Sequence, residues 1–180
     1  MNIVVNGGTR GIGVELVKKL ASDKTNKIAA TGRNISSLSK IESSRLLAIK
    51  TDMDHFDERA NETVSIIKEF MQEVDILINN AGTIIVKDFG DITSDEARKL
   101  FEVNFIGPAE MIRALRPLMK KGSHIVNISS MGGFQGSTKY KGLSYYSASK
   151  AAIACLSECL AGEYNESGIR VNCLALGAVQ

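Results

Sequence analysis

Tyr146 and Lys150 stand four residues apart in Tyr146-Ser147-Ala148-Ser149-Lys150. Residues so spaced share one face of a helix. The pair joins a weak acid to a fixed cation. A phenol alone ionises near ~10, too high to shuttle protons near neutral pH. A neighbouring ammonium favours the phenolate, and a general acid or base works best when its pKa lies near the working pH. Tyr145 adjoins Tyr146 but has no lysine four residues on. A surface tyrosine and a surface lysine on an ordinary helix fit the same spacing, so the pair needs company before it implies catalysis.

That company begins at the N-terminus. The apolar run Ile3-Val4-Val5 leads into Asn6-Gly7-Gly8-Thr9-Arg10-Gly11-Ile12-Gly13, and Val14, Leu16, Val17 and Leu20 then mark one side of a helix. Strand, glycine turn and helix let backbone approach a pyrophosphate, which sits on free N–H groups at the helix N-terminus. The spacing G-x-x-x-G-x-G differs from G-x-G-x-x-G. A nucleotide triphosphatase loop is excluded, because Gly13 is followed by Val14-Glu15 rather than Lys and Ser or Thr. A plain glycine-rich turn remains the alternative reading of this motif alone.

The two ends together resemble the short-chain dehydrogenase/reductase family over essentially the whole chain. The glycine start matches with Asn6 in place of a threonine. Asn79-Asn80-Ala81-Gly82 matches the family's N-N-A-G after the strand Asp75-Ile76-Leu77-Ile78. Asn104 matches its helix-borne asparagine, Ser130 its serine, and Tyr146 with Lys150 its Y-x-x-x-K. Ser129 competes with Ser130, but the pattern running to Gly133 fits Ser130 better. Ser130 lies sixteen residues before Tyr146, slightly more than is common in the family, and the polar loop Ser137 to Gly142 accommodates the excess.

The resemblance implies a Rossmann-type domain and hydride transfer between nicotinamide and a carbonyl or secondary alcohol. Tyr146 is then the general acid/base, Lys150 its electrostatic partner and a ligand of the nicotinamide ribose. Ser130 polarises the substrate oxygen, and Asn104 holds a water that resupplies protons. Gly7, Thr9, Arg10, Gly11, Ile12 and Gly13 form the pyrophosphate turn. Asp52 and Met53 meet the adenine, and Asn80, Ala81 and Gly82 the adenosine ribose side. Asp52 fits a strand-end cap equally well. The second strand ends Ala29-Ala30-Thr31-Gly32-Arg33-Asn34, with no acidic residue to bind a ribose 2′-hydroxyl. Arg33, with Arg10, suits a 2′-phosphate instead, so NADP(H) is expected over NAD(H), which remains possible. Ile84, Phe89, Met131, Phe134, Gln135 and Tyr140 are candidate pocket residues for a small-molecule carbonyl or alcohol substrate. A noncatalytic NADP(H)-binding or scaffold member of the same fold is the competing function.

The elements that must position these residues alternate strictly. Apolar strand runs cover 2–6, 27–31, 46–50, 75–79, 123–128 and 169–175, and helical patterns cover 12–23, 35–41, 55–72, 94–120 and 145–166. This is the α/β pattern of a doubly wound parallel sheet with helices on both faces, and the motifs fall mostly at the strands' carboxyl ends. Pro117 is expected to kink or end the fourth helical stretch, 94–120. A single domain spans 1–180, and the family's C-terminal substrate lid is expected to be absent, since Leu176-Gly177 stands where relatives carry Pro-Gly. Leu100, Phe101, Phe105, Met111, Ile112, Ile153, Leu156 and Leu160 offer either sheet packing or, by the resemblance, a homodimer or homotetramer interface.

Composition constrains the rest. The 180 residues are 44% hydrophobic and 23% charged, with a net charge of +2, an ordinary globular balance that gives no reason to expect nucleic acid. No apolar run is long enough for a membrane span, and the first strand starts too early for a secretory signal, so a cytoplasmic location is expected. Cys155, Cys159 and Cys173 form no disulfide or metal framework with His55 or His124, and no metal is expected.

Overall fold

The computed structural model describes residues 1–41 and 43–177. Six strands form one sheet in the order β3-β2-β1-β4-β5-β6, every pair parallel. They are β1 (Asn2–Asn6), β2 (Lys27–Gly32), β3 (Leu46–Lys50), β4 (Ile76–Asn79), β5 (His124–Ser130) and β6 (Arg170–Leu176). All six expected strands are present, with ends shifted by at most two residues. The order reverses between β1 and β4, and the crevice beyond their carboxyl ends is where ligands of open α/β sheets sit.

Alternation along the strands splits the core in two. Ile3, Val5, Ile28 and Ala30 face Val17 and Ala21 of α1 (Gly11–Ser22). Val4, Ala29, Leu77 and Ile125 face Ile67 and Met71 of α2 (Phe56–Met71), and Met111, Ile112 and Leu115 of α4 (Gly107–Leu115). The remaining helices are α3 (Ser94–Phe101) and α5 (Ser144–Glu163), and α5 packs along β5 and β6.

Two helical expectations change. The helix expected over 35–41 is a single 3₁₀ turn, Leu38–Lys40. Its polar side chains take the backbone's partners. Asn34 Oδ1 accepts from Ser36 N (3.0 Å), Ser39 Oγ donates to Ser36 O (2.8 Å), and Ser37 Oγ donates to Thr9 O (2.6 Å). The long helix over 94–120 is α3 and α4 joined by a π-helical turn, Glu102–Ile106, and closed by a 3₁₀ turn containing Pro117. Pro108 explains the π turn: it has no N–H for the carbonyl of Asn104 four residues back. The bonding opens by one residue, and Gly107 N donates to Glu102 O.

Polar side chains line up across the buried sheet. The register sets Thr31 beside Asn6, Asn6 beside Asn79, and Asn79 beside Asn127. Thr31 Oγ1 donates to Asn6 Oδ1 (3.1 Å), Asn6 Nδ2 to Asn79 Oδ1 (3.2 Å), and Asn79 Nδ2 to Asn127 Oδ1 (2.9 Å). Asn127 Nδ2 then reaches Ser157 Oγ on α5 (2.9 Å).

Of the eight apolar residues offered for a partner helix, Leu100, Met111, Ile112, Ile153 and Leu160 are buried within the chain. They pack in its own core and present no surface to another copy.

Candidate functional site

The glycine turn is built by close backbone approach. Gly7 N and Gly8 N both donate to Thr31 O at 3.0 Å, and Asn80 N and Ala81 N both donate to Asn6 O at 3.0 Å. Gly7 has φ +76, and a Cβ there would lie 2.5 Å from Ala81 N. A Cβ on Gly13 would lie 2.0 Å from Gly7 O. Asn80 Nδ2 locks the same carbonyl at 2.8 Å, a side-chain role that the motif alone did not reveal. The N-terminus of α1 has no side-chain cap and no acidic residue in its first turn. Its leading N–H groups therefore suit an anion.

A cleft of about 490 Å³ opens over this turn. Gly7, Thr9, Arg10, Gly11, Ile12, Arg33, Asp52, Met53, Asn80, Ala81 and Gly82 line it; of the other residues expected at the nucleotide, Tyr146 and Lys150 line the neighbouring cleft and Gly13 lines neither. Arg10 and Arg33 form no ion pair among the described residues. Asp52 caps the following 3₁₀ turn, with Oδ1 accepting from Asp54 N at 3.3 Å. Met53 differs from the expectation in one respect. Its side chain is buried and its Sδ accepts from Asn6 Nδ2 (3.1 Å), which leaves its backbone for the cleft. Thr51 was missed by sequence reasoning. Its hydroxyl is buried beside Asp52 in this wall and has no partner among the described residues.

A second cleft of about 450 Å³ contains Ser130, Tyr146 and Lys150. Arg10, Ile12, Asn80, Gly82 and Thr83 belong to both clefts, which are therefore continuous. Strand alternation separates the two serines. Ser129 is buried and its Oγ donates to Lys150 O (2.7 Å), anchoring α5. Ser130, on the other parity, is half-buried in the cleft, and among the described residues its Oγ accepts only from Gly132 N (3.2 Å).

Lys150 is 5% exposed. Its Nζ donates to Ile128 O at 2.9 Å. Burial pushes the amine down to about 8, against a smaller opposing pull from Cys173. Gly82 keeps this space open, because a Cβ there would stand 3.2 Å from Nζ and 3.4 Å from Asn104 Oδ1. Asn104 lies on the π turn, buried. Its Oδ1 accepts from Thr83 N (2.8 Å), and its Nδ2 donates to Thr83 O (2.9 Å) and Ser149 Oγ (3.0 Å). Ser149 Oγ in turn donates to Tyr146 O at 2.7 Å. Asn104 thus fastens the loop after β4 to the first turn of α5. Thr83 and Ser149, which complete this link, carry no separate signal in the sequence.

Among the described residues no helix is long and apolar enough to cross a membrane, and no group of three metal-ligating side chains occurs.

Comparison with known proteins agrees with this geometry. The family model for short chain dehydrogenases matches residues 1–180. An uncharacterized oxidoreductase of Staphylococcus saprophyticus is 33% identical over 98% of this chain and 77% of its own length. A short-chain dehydrogenase structure from Streptomyces avermitilis superposes with TM-score 0.89 at 34% identity, over 99% of this chain and 66% of its own. One from Burkholderia cenocepacia, solved in complex with NADP, gives 0.86 at 29% identity, over 96% and 72%. The chain thus spans about two thirds to three quarters of these relatives. It belongs to the short-chain dehydrogenase family.

Proposed function

We propose that this chain is an NADP(H)-dependent oxidoreductase that interconverts a carbonyl and a secondary alcohol. The observation that carries the reading is the continuity of the two clefts, a glycine-turn crevice running into one that holds Ser130, Tyr146 and Lys150. The residues fit a dinucleotide. The uncapped start of α1 and the cradle of Gly7, Thr9, Gly11, Ile12 and Gly13 suit its pyrophosphate, and the unpartnered Thr51 hydroxyl with Asp52 and the Met53 backbone suits the adenine end. Arg10 and Arg33 suit the 2′-phosphate, as guanidinium forks match phosphate oxygens. The NADP complex of the Burkholderia relative supports the same choice. Asn80, Ala81 and Gly82 flank the ribose side, and Tyr146 and Lys150 the nicotinamide ribose.

The nucleotide supplies or accepts the hydride at the substrate carbon, being oxidised as a carbonyl is reduced. Tyr146 gives the carbonyl oxygen its proton, and Ser130 Oγ donates a hydrogen bond to the same oxygen. The positive charge of Lys150 stabilises negative charge on the Tyr146 oxygen. Asn104 has both amide hydrogens engaged, so its expected water would use the remaining lone pair of Oδ1. A homodimer or homotetramer remains the family-based expectation, which light scattering tests. The direct test of the chemistry is Tyr146→Phe. Turnover should fall by about 10²–10⁴-fold with NADPH affinity retained, and undiminished turnover would remove Tyr146 from the role.

A noncatalytic NADP(H)-binding scaffold is the alternative. Saturable cofactor binding without turnover of any carbonyl would favour it.

A further inference from the structure

The segments after β4 and β5 form two loops, 83–93 and 131–143. They meet beside the cleft of Ser130 and Tyr146. Lys87 N donates to Gly142 O at 3.1 Å, and a Cβ on Gly142 would lie 3.1 Å from Val86 Cγ1. Phe89 stacks on Tyr145, the neighbour of Tyr146, with ring centroids 5.6 Å apart and planes 10° apart. Ile84 lines the cleft itself.

This wall is apolar where a surface is usually polar. Of the ten large apolar side chains exposed among the described residues, six lie on these two loops: Ile84, Val86, Phe89, Met131, Phe134 and Tyr140. Phe89 is 71% exposed. A concentration of this kind marks a binding surface, whereas single exposed apolar residues do not. The loops are also held in shape. Lys139 Nζ donates to Gly132 O (2.8 Å), Phe134 O (2.6 Å) and Ser137 Oγ (3.0 Å), clamping the second loop. Lys87 pairs with Glu96, and Lys141 with Asp88 at 2.9 Å. Every cation on the two loops thus has a partner among the described residues, and Arg10, which also lines the cleft, is the one the nucleotide phosphate would take.

We infer that this wall receives the body of a bulky apolar ketone or aldehyde, whose carbonyl oxygen reaches Ser130 and Tyr146. The inference rests on the oxidoreductase reading and names its substrate class. The substrate's chain lies from Ile84, which lines the cleft, toward Phe89, which stacks beside Tyr146 on Tyr145. In the reductive direction the carbonyl carbon gains a hydride from NADPH and the oxygen gains the Tyr146 proton, leaving the alcohol and NADP⁺.

The test is kcat/KM with NADPH for unbranched methyl ketones from butanone to decanone, with pyruvate as the acidic comparator. Each methylene laid on the wall is worth about fourfold, so heptanone should exceed butanone by roughly 60-fold. Phe89→Ala should flatten that slope and Phe89→Leu restore most of it. A flat series, or a preference for pyruvate, would overturn the substrate class while leaving the oxidoreductase reading in place. If no carbonyl turns over, calorimetric titration of the NADPH-loaded chain with heptanone and butanone carries the test. Tighter heptanone binding, weakened by Phe89→Ala, supports the wall and faults the catalytic reading. Equal or absent binding overturns the wall. Self-association that Phe89→Ala abolishes, without discrimination among ketones, would also overturn it and assign the surface to a second copy.

Discussion

Lys150→Met isolates the cost of burying this cation on α5. The amine sits at about 8 in the folded chain against an ordinary 10.5, with burial the larger cause. At about 1.4 kcal/mol per pH unit, the gap corresponds to about 3 kcal/mol. The sign follows from proton counting. Between about 8 and 10.5 the unfolded chain binds more protons at Lys150 than the folded one, so stability rises with pH through that window. Below it both states are protonated and the full cost is present; above it both are neutral and the cost is gone. Methionine keeps much of the stem's packing and carries no charge. The variant should therefore be the more stable protein near neutral pH. The bond from Nζ to Ile128 O works in the opposite sense, so the expected advantage lies between about 1 and 3 kcal/mol. Cys173 titrates in the same region with the opposite sign. Burial raises its thiol, so its contribution is lost as pH climbs above 9.0. Lys150 pulls that thiol down, so without it the Cys173 shift grows slightly, and the part that burial causes, the larger one, cancels in the difference. Urea unfolding of both chains, followed by circular dichroism from about pH 7 to above 10.5, reads that difference directly. An advantage that shrinks across the window supports a desolvated amine. A constant difference, or a variant less stable at every pH, refutes the reasoning.

Other substitutions probe the surrounding frame. Gly13→Ala sets a Cβ 2.0 Å from Gly7 O, a backbone clash that should cost about 1–3 kcal/mol and abolish NADPH binding. Gly11→Ala meets nothing within 4 Å but sits at φ +51, so its cost should be only about 1–2 kcal/mol; urea unfolding and NADPH titration separate the two. Asn104→Ala strands Thr83 N, Thr83 O and Ser149, and a loss of about 1–3 kcal/mol in urea unfolding is expected from orphaned buried groups. Arg33→Asp should shift preference from NADPH toward NADH by at least about tenfold, roughly the 1.4 kcal/mol of one charge-assisted contact. An unchanged ratio in competitive titrations would count against Arg33 as the phosphate ligand.

The strands were legible because parallel strands buried on both faces read as apolar runs, and Ile3-Val4-Val5 or Ile76-Leu77-Ile78 admit little else. The glycine turn, Asn79-Asn80-Ala81-Gly82 and Ser130 stand out because each sits where such a run ends, while Asn104, Tyr146 and Lys150 lie on helical segments and stand out by motif alone. The failures have local causes. The side chains of Asn34, Ser37 and Ser39 satisfy backbone groups, Ser36 N and O among them, and leave only one turn of the helix expected over 35–41. Pro117 ends the long helix as expected, since α4 stops at Leu115 and the next turn, Arg116–Leu118, is 3₁₀, whereas the π turn beside Pro108 carries no comparable signal. The burial of Lys150 could not be read from its type, since lysine is rarely buried unpaired. It follows from the lid that β5 and Gly82 make over the first turns of α5.

The height of α5 over the sheet is fixed from below at two points, seven residues apart. Ser129 Oγ holds the carbonyl of Lys150, and Asn127 Nδ2 holds the hydroxyl of Ser157. The second anchor ends a hydrogen-bonded row with one direction. Thr31 donates to Asn6, Asn6 to Asn79, Asn79 to Asn127, and Ser157 onward to Ile153 O. An amide flipped anywhere in the row would set oxygen against oxygen or N–H against N–H in a buried site, at about 1–3 kcal/mol for each group left unsatisfied. The amides of the row therefore share one sense, and the extra contact from Asn6 Nδ2 to Met53 Sδ and the bond from Ser157 Oγ to Ile153 O favour the one described. It begins at Thr31, whose carbonyl accepts from the glycine turn, and ends under the helix that carries Tyr146 and Lys150. A small slide of α5 would break its bonds along with that of Ser129. The nucleotide turn and the proposed proton donor are thus held in common register through the sheet as well as through the cleft they share.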